Sequence, residues 1–193
     1  MPSGKMPEAD FAVGKTTLVY NPGAFESDTV IRIAGTAADG VTIRNLTNGD
    51  SCRLLSLPSS PDYLELSSET GMIRQLPSYP DALAYSYHDD GFIRLSSGWK
   101  DHRTVYVNYE SGSNAVYSPV GVVTSDDEGL YIWLTGKWLR IASVTDSHHF
   151  VVSESLASTG AAQTDIVLMN EIRIEGNGAS LTKFELDYTP LMR

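Results

Sequence analysis

The sequence predicts an all-β protein, and three observations carry that prediction. Apolar and polar residues alternate with a period of two, most clearly in Thr182-Lys183-Phe184-Glu185-Leu186-Asp187-Tyr188. Turn-forming groups such as Asn21-Pro22-Gly23, Asp39-Gly40, Asn48-Gly49-Asp50, Asp90-Gly91 and Asn177-Gly178 divide these runs at the spacing of sandwiches and barrels. No stretch holds apolar residues at i, i+3, i+4 and i+7 over several turns, so long amphipathic helices are excluded.

Taken in order, residues 1–15 are polar and rich in Pro and Gly, which reads as a flexible arm without the charged start and apolar centre of a signal peptide. Thr17 to Tyr20 and Val30 to Ala34 are strand-like. Val41-Thr42-Ile43-Arg44 alternates and precedes a Gly turn, and Cys52 lies in the next alternating run. Asp81 to Tyr85 fits a turn of helix as well as a strand. Val105-Tyr106-Val107-Asn108-Tyr109 is a strand with one wet side. Ser118-Pro119-Val120-Gly121 and Ser125-Asp126-Asp127-Glu128 break the pattern, which places a domain boundary near residues 117–127. Beyond it, residues 129–134 and 137–144 form a hairpin through Thr135-Gly136. The small polar residues of 153–164 read as a loop. Glu171-Ile172-Arg173-Ile174-Glu175 and residues 182–188 are the last strands, for a total of about a dozen to fourteen.

Charge restricts the partners. The formal net charge is −10, from 24 acidic and 14 basic residues. Such a chain repels nucleic acid, whose binding draws on basic surfaces, and repels anionic membranes for the same reason. No apolar run approaches a membrane span. The single cysteine, Cys52, cannot form an internal disulfide and reads as buried packing.

The motifs that suggest chemistry give way to simpler readings. Gly14-Lys15-Thr16-Thr17 looks like the end of a P-loop, but Ala9 stands where the first glycine belongs, and a strand rather than a helix follows. His148 and His149 are neighbours on a strand and point to opposite faces, while His88 and His102 sit in separate turns, so no metal set is expected. Asp89-Asp90 and Asp126-Asp127-Glu128 read as solvated turns and not as calcium loops. No Gly-x-Ser-x-Gly elbow is present, and Asn45-Leu46-Thr47 is a glycosylation sequon without a visible secretory route. No catalytic residue and no cofactor are expected. Trp99, Trp133 and Trp138 are the candidate contact residues, for core packing first, then a protein interface, then a sugar.

Four segments carry a resemblance. Tyr20-Asn21-Pro22-Gly23-Ala24-Phe25-Glu26-Ser27-Asp28, leading into Val30-Ile31-Arg32-Ile33-Ala34-Gly35, resembles the N-P-G-x-x-x-S-x-P-x-I-x-I-x-G opening of the C-terminal domain of siphophage distal tail proteins, with Thr29 near the family's proline. Val41-Thr42-Ile43-Arg44-Asn45-Leu46-Thr47-Asn48-Gly49 is similar to its I-x-I-x-N-x-T-x-G hairpin. Tyr63 to Ile73 resembles its L-x-I-D-x-x-x-G-x-V strand–turn–strand, and Gly91 to Gly98 its F-x-x-L-x-P-G segment, with Ser97 in place of proline. Phe184 to Pro190 resembles the family's last strand.

The resemblance implies a galectin-like antiparallel β-sandwich, assigned here to residues 16–121. Residues 122–193 would add a β-rich region. In one version residues 122–178 are an insertion and Leu181 to Pro190 closes the sandwich; in the other they form a small second β domain. The resemblance also implies a non-catalytic virion protein of the tail or baseplate, made in the host cytoplasm, assembling as a homo-oligomeric ring (usually hexameric) and docking other tail, baseplate or receptor-binding proteins. Sugar-binding galectins carry a His/Asn/Arg set and a Trp-Gly pair; here Trp99 is followed by Lys100. The alternative reading is a carbohydrate-binding module for host attachment, with a glycan as ligand.

Overall fold

The computed structural model describes residues 11–83, 91–99 and 102–191, and it is all-β. His88, Asp89-Asp90, Lys100 and most of the expected N-terminal arm lie outside the described residues. The chain divides into two compact units. One comprises Met1–Ser97 with Asn170–Arg193, and the other is Gly98–Met169.

The first unit is built from two antiparallel sheets. One has the strand order β1 (Thr16–Val19), β15 (Asn170–Glu175), β3 (Val41–Asn45), β4 (Ser51–Leu54). The other runs β16 (Ser180–Tyr188), β2 (Ser27–Thr36), β5 (Tyr63–Ser67), β6 (Met72–Leu76), β7 (Tyr79–Leu83), with the short β8 (Arg94–Leu95) also paired to β2. The alternation seen in the sequence gives each sheet one apolar face. Val19, Ile43, Cys52, Leu54 and Ile172 from the first meet Ile31, Ile33, Leu64, Leu66 and Leu186 from the second in one buried cluster, a sandwich arrangement. Cys52 is fully buried there. Residues 81–83, equally readable as helix, belong to β7.

Buried asparagines tie the β8 segment to both sheets. Asn21 donates to the carbonyls of Phe25 and Leu95, and its side-chain oxygen accepts from the Gly23 N–H. Asn45 donates to the Arg94 carbonyl and to Asn170 Oδ1. Asn170 donates to the Ser96 and Val19 carbonyls, and its Oδ1 also accepts from the Ser96 N–H. All three residues are 0% exposed. Each makes several hydrogen bonds, which is what allows an amide to stay buried.

The second unit is a closed antiparallel barrel. Its strands are β9 (Arg103–Tyr109), β10 (Ala115–Tyr117), β11 (Tyr131–Leu134), β12 (Lys137–Val144), β13 (His149–Val152) and β14 (Gly160–Val167), ordered β10-β13-β12-β11-β14-β9 around the ring. Its own core holds Val105, Val107, Ile132, Leu134, Leu139, Ile141, Phe150 and Ile166. Closure removes the free edges that an open sheet leaves exposed.

The division near residues 117–127 is replaced by junctions at 97/98 and 169/170. Strands β9 and β10, assigned to the sandwich through residue 121, belong to the barrel because β9 pairs with β14 from Arg103↔Ile166 to Tyr109↔Gly160. Residues 117–127 are a connection within the barrel, and such a loop has the same composition as a linker. Residues 160–164 are strand rather than loop. Their small side chains hid them; at Gly160 a Cβ would stand 2.9 Å from Tyr109 Oη, so a larger residue there would require the Tyr109 ring to shift. Strand β16 pairs with β2 from Tyr188↔Thr29 to Ser180↔Thr36 and so supplies an outer strand of the sandwich.

Candidate functional site

The β11–β12 hairpin positions two of the three tryptophans. Its turn is Thr135-Gly136, with φ of 51° and 83°, the positive values that a two-residue hairpin turn demands. Ile132, Leu134, Leu139 and Ile141 face the barrel core, so Trp133 and Trp138 face out. The pair is directly opposed across the strands, with ring centroids 5.3 Å apart and planes at 67°. An edge-to-face pair of this kind stabilises a hairpin by about 0.5–1.5 kcal/mol. It still leaves Trp133 45% exposed.

The neighbouring strand β14 adds polar groups. Trp133, Trp138, Gln163, Thr164 and Asp165 line one open depression. The Thr164 hydroxyl donates to the Trp133 carbonyl at 2.7 Å, fixing the hairpin beyond the last β11–β14 ladder pair. Asp165 Oδ1 accepts from the Thr104 hydroxyl at 2.7 Å. The Tyr106 hydroxyl donates to Gln163 Oε1 at 2.9 Å, which orients the amide so that its –NH2 points elsewhere. Asp165 Oδ2 stands 3.6 Å from His102 Nε2, and the His102 ring stacks on Trp99 at 5.0 Å with planes 4° apart.

The three sequence-predicted tryptophans therefore lie in one unit, and Trp99 is linked to the depression through His102 and Asp165. None of them is core, which was the leading expectation: Trp99 is 55% exposed. Gln163, Asp165, Tyr106 and His102 were not among the contact residues the sequence suggested; His102 was weighed only as a metal ligand. Tyr106 was readable as an outward residue of an alternating strand, whereas Gln163 and Asp165 lay in or beside the apparent loop.

The other candidates resolve into structural roles. Gly14 sits in a turn beside the Val13↔Ile174 bridge, and strand β1 follows it. His149 Nδ1 is 2.9 Å from Asp146 Oδ2, and the Tyr117 ring lies against both histidines of the pair. The His148 N–H hydrogen bond, followed by the His149 side chain, holds the Asp146 carboxyl below the usual range. Among the described residues no group of three or more His, Cys, Asp or Glu is placed to hold a metal, and no helix is long and apolar enough to cross a membrane.

The acidic turn is solvated at Asp126 and Glu128, as expected, but not at Asp127. Residues Ser125–Asp127 form one 3-10 turn in which Asp127 is 0% exposed. Its carboxylate accepts from the Thr124 N–H at 2.8 Å and pairs with Arg103 at the start of β9. Replacing Asp127 by Ala removes this cap and strands the guanidinium, which predicts a loss of about 2–3 kcal/mol from the barrel. All the tryptophans lie in the barrel unit, so denaturant unfolding followed by tryptophan fluorescence measures it.

No family model, curated protein or solved structure matches this chain.

Proposed function

We propose that the chain is a non-catalytic virion protein of a phage tail or baseplate, working by oligomeric assembly and by docking neighbouring tail or receptor-binding proteins. The observation that supports this reading is where the family-like residues fall. Asn21, Asn45 and the Phe92 to Leu95 stretch come from three of the resembling segments, and they meet at the β8 segment of one sandwich. Residues of the resembling segments thus supply hydrogen bonds that anchor β8 in the sandwich. A galectin-like arrangement is the finer form of the same proposal.

The sandwich also offers means of assembly. Among the described residues, strand order leaves β16 and β7 at the edges of one sheet, and β1 and β4 at the edges of the other. An unpaired edge is a template for another chain. Electron microscopy of the purified full chain should show a closed ring or another defined oligomer. A protein that stays monomeric at every concentration, with no affinity for tail proteins, overturns the proposal. A second reading, carbohydrate binding, is favoured by the Trp133–Trp138 corner with its polar rim.

A further inference from the structure

We propose that Trp133, Trp138, Gln163 and Asp165 form a binding site for a neutral glycan chain, with Trp99 and His102 as its extension. This inference rests on the carbohydrate-binding reading and deepens it; it is separable from the virion reading, since the residues that form the site all belong to the barrel.

The chemistry of the face selects the ligand class. A pyranose has an apolar C–H face and a rim of hydroxyls. The two indoles meet at 67° and make an apolar corner. On the adjacent strand, the Asp165 carboxylate offers acceptors, and the Gln163 amide, held through Oε1 by Tyr106, offers donors. Hydroxyls pair well with both, and bonds to a carboxylate are the stronger kind. The barrel core is complete without these indoles, because Ile132, Leu134 and Leu139 supply the inward face. Covering exposed aromatic surface gains roughly 25 cal/mol per Å².

The groups are also fixed in advance. They stand on strands; the Thr164 hydroxyl holds the Trp133 main chain, the Trp133–Trp138 edge contact restrains the indoles, and Thr104 and Tyr106 restrain the Asp165 and Gln163 side chains. Such restraint lowers the ordering cost of binding. Charge narrows the class further. With Asp165 in the rim and a net charge of −10, uronate or phosphate-bearing polymers are repelled. The Asp165–His102–Trp99 chain of contacts places a third indole beyond the two of the corner, so a chain is preferred over a single residue.

The test uses the full chain with purified oligosaccharides. Neutral gluco-, galacto-, manno- and N-acetylglucosamine oligomers, long and disaccharide, are titrated by calorimetry and tryptophan fluorescence, with oligogalacturonate as the anionic control. At least one long neutral oligomer should bind with a change in fluorescence, and oligogalacturonate should not. Trp133→Ala and Trp138→Ala should each weaken binding about tenfold or more. Gln163→Ala and Asp165→Asn, which leave the hairpin pair intact, should weaken it by a smaller factor. Trp99→Ala should weaken the long oligomer and leave the disaccharide unchanged. Absence of binding across the neutral panel overturns the proposal, as does binding that survives Trp133→Ala and Gln163→Ala, or binding of the anionic oligomer alone. If Trp133→Ala instead breaks an oligomer and no sugar binds, the face is a protein interface and the glycan proposal fails while the assembly proposal stands.

Discussion

Gly35→Ala should unfold or nearly unfold the sandwich while leaving the barrel intact, at a cost of about 3–5 kcal/mol. Gly35 has φ of 153° and lies in β2 where β16 bulges, the register shifting between Leu181 and Lys183. A Cβ there would come within 2.2 Å of the Ser180 carbonyl oxygen and 2.9 Å of Leu181 Cα. Both obstacles are backbone, so no rotamer change relieves them. The main chain must separate, and with it the β2–β16 ladder and the burial of Leu186 and Tyr188. The measurement separates the units. Tryptophan fluorescence follows the barrel, where all three tryptophans lie, whereas far-ultraviolet circular dichroism sees both units. The dichroism midpoint should fall and the fluorescence midpoint should stay. A shift in both, or in neither, contradicts the expectation.

Asn170→Ala should cost the sandwich about 3–5 kcal/mol by a different route. The side chain makes four hydrogen bonds in a fully buried place: to Val19 and Ser96 carbonyls, from the Ser96 N–H and from Asn45. Alanine leaves those partners buried without it, and each abandoned polar group costs roughly 1–3 kcal/mol, with some recovered by water entry. Asn170→Asp should be no gentler. It keeps the acceptor but loses the donors, and sets a charge against two carbonyls. The same pair of probes applies, since Asn170 belongs to the sandwich unit. An Asn170→Asp protein as stable as the parent would show that the network contributes little.

Local pattern made the strands legible, and distance along the chain hid the rest. Strands β2, β3, β15 and β16 announce themselves by alternation, and Thr135-Gly136 announces the hairpin that carries Trp133 and Trp138. The partition was misread because β9 alternates as well as any sandwich strand, and only its pairing with β14 assigns it. That partner was masked by Gly160-Ala161-Ala162, small residues indistinguishable from loop composition, of which Gly160 lies opposite Tyr109. Gly35, Asn21 and Asn45 stood out within the family-like segments, yet their purposes depend on Ser180, Leu95 and Asn170, each remote in sequence. Asp127 looked like surface charge because its partner Arg103 lies in another segment. The candidate site shows the same split: its aromatics were visible by type, while its polar rim required the β14 register.

The Asn170 side chain has a consequence for how such a protein changes over time. By bonding to both the N–H and the carbonyl of Ser96, it clasps the two points where the chain leaves the sandwich and returns to it. The path between Ser96 and Asn170 is thereby anchored at its base whatever its length, and lengthening a loop costs little once its ends are held. The clasp thus predicts that a different insert between Ser96 and Asn170 would leave the hydrogen bonds at its base in place, as a socket holds whatever is fitted to it.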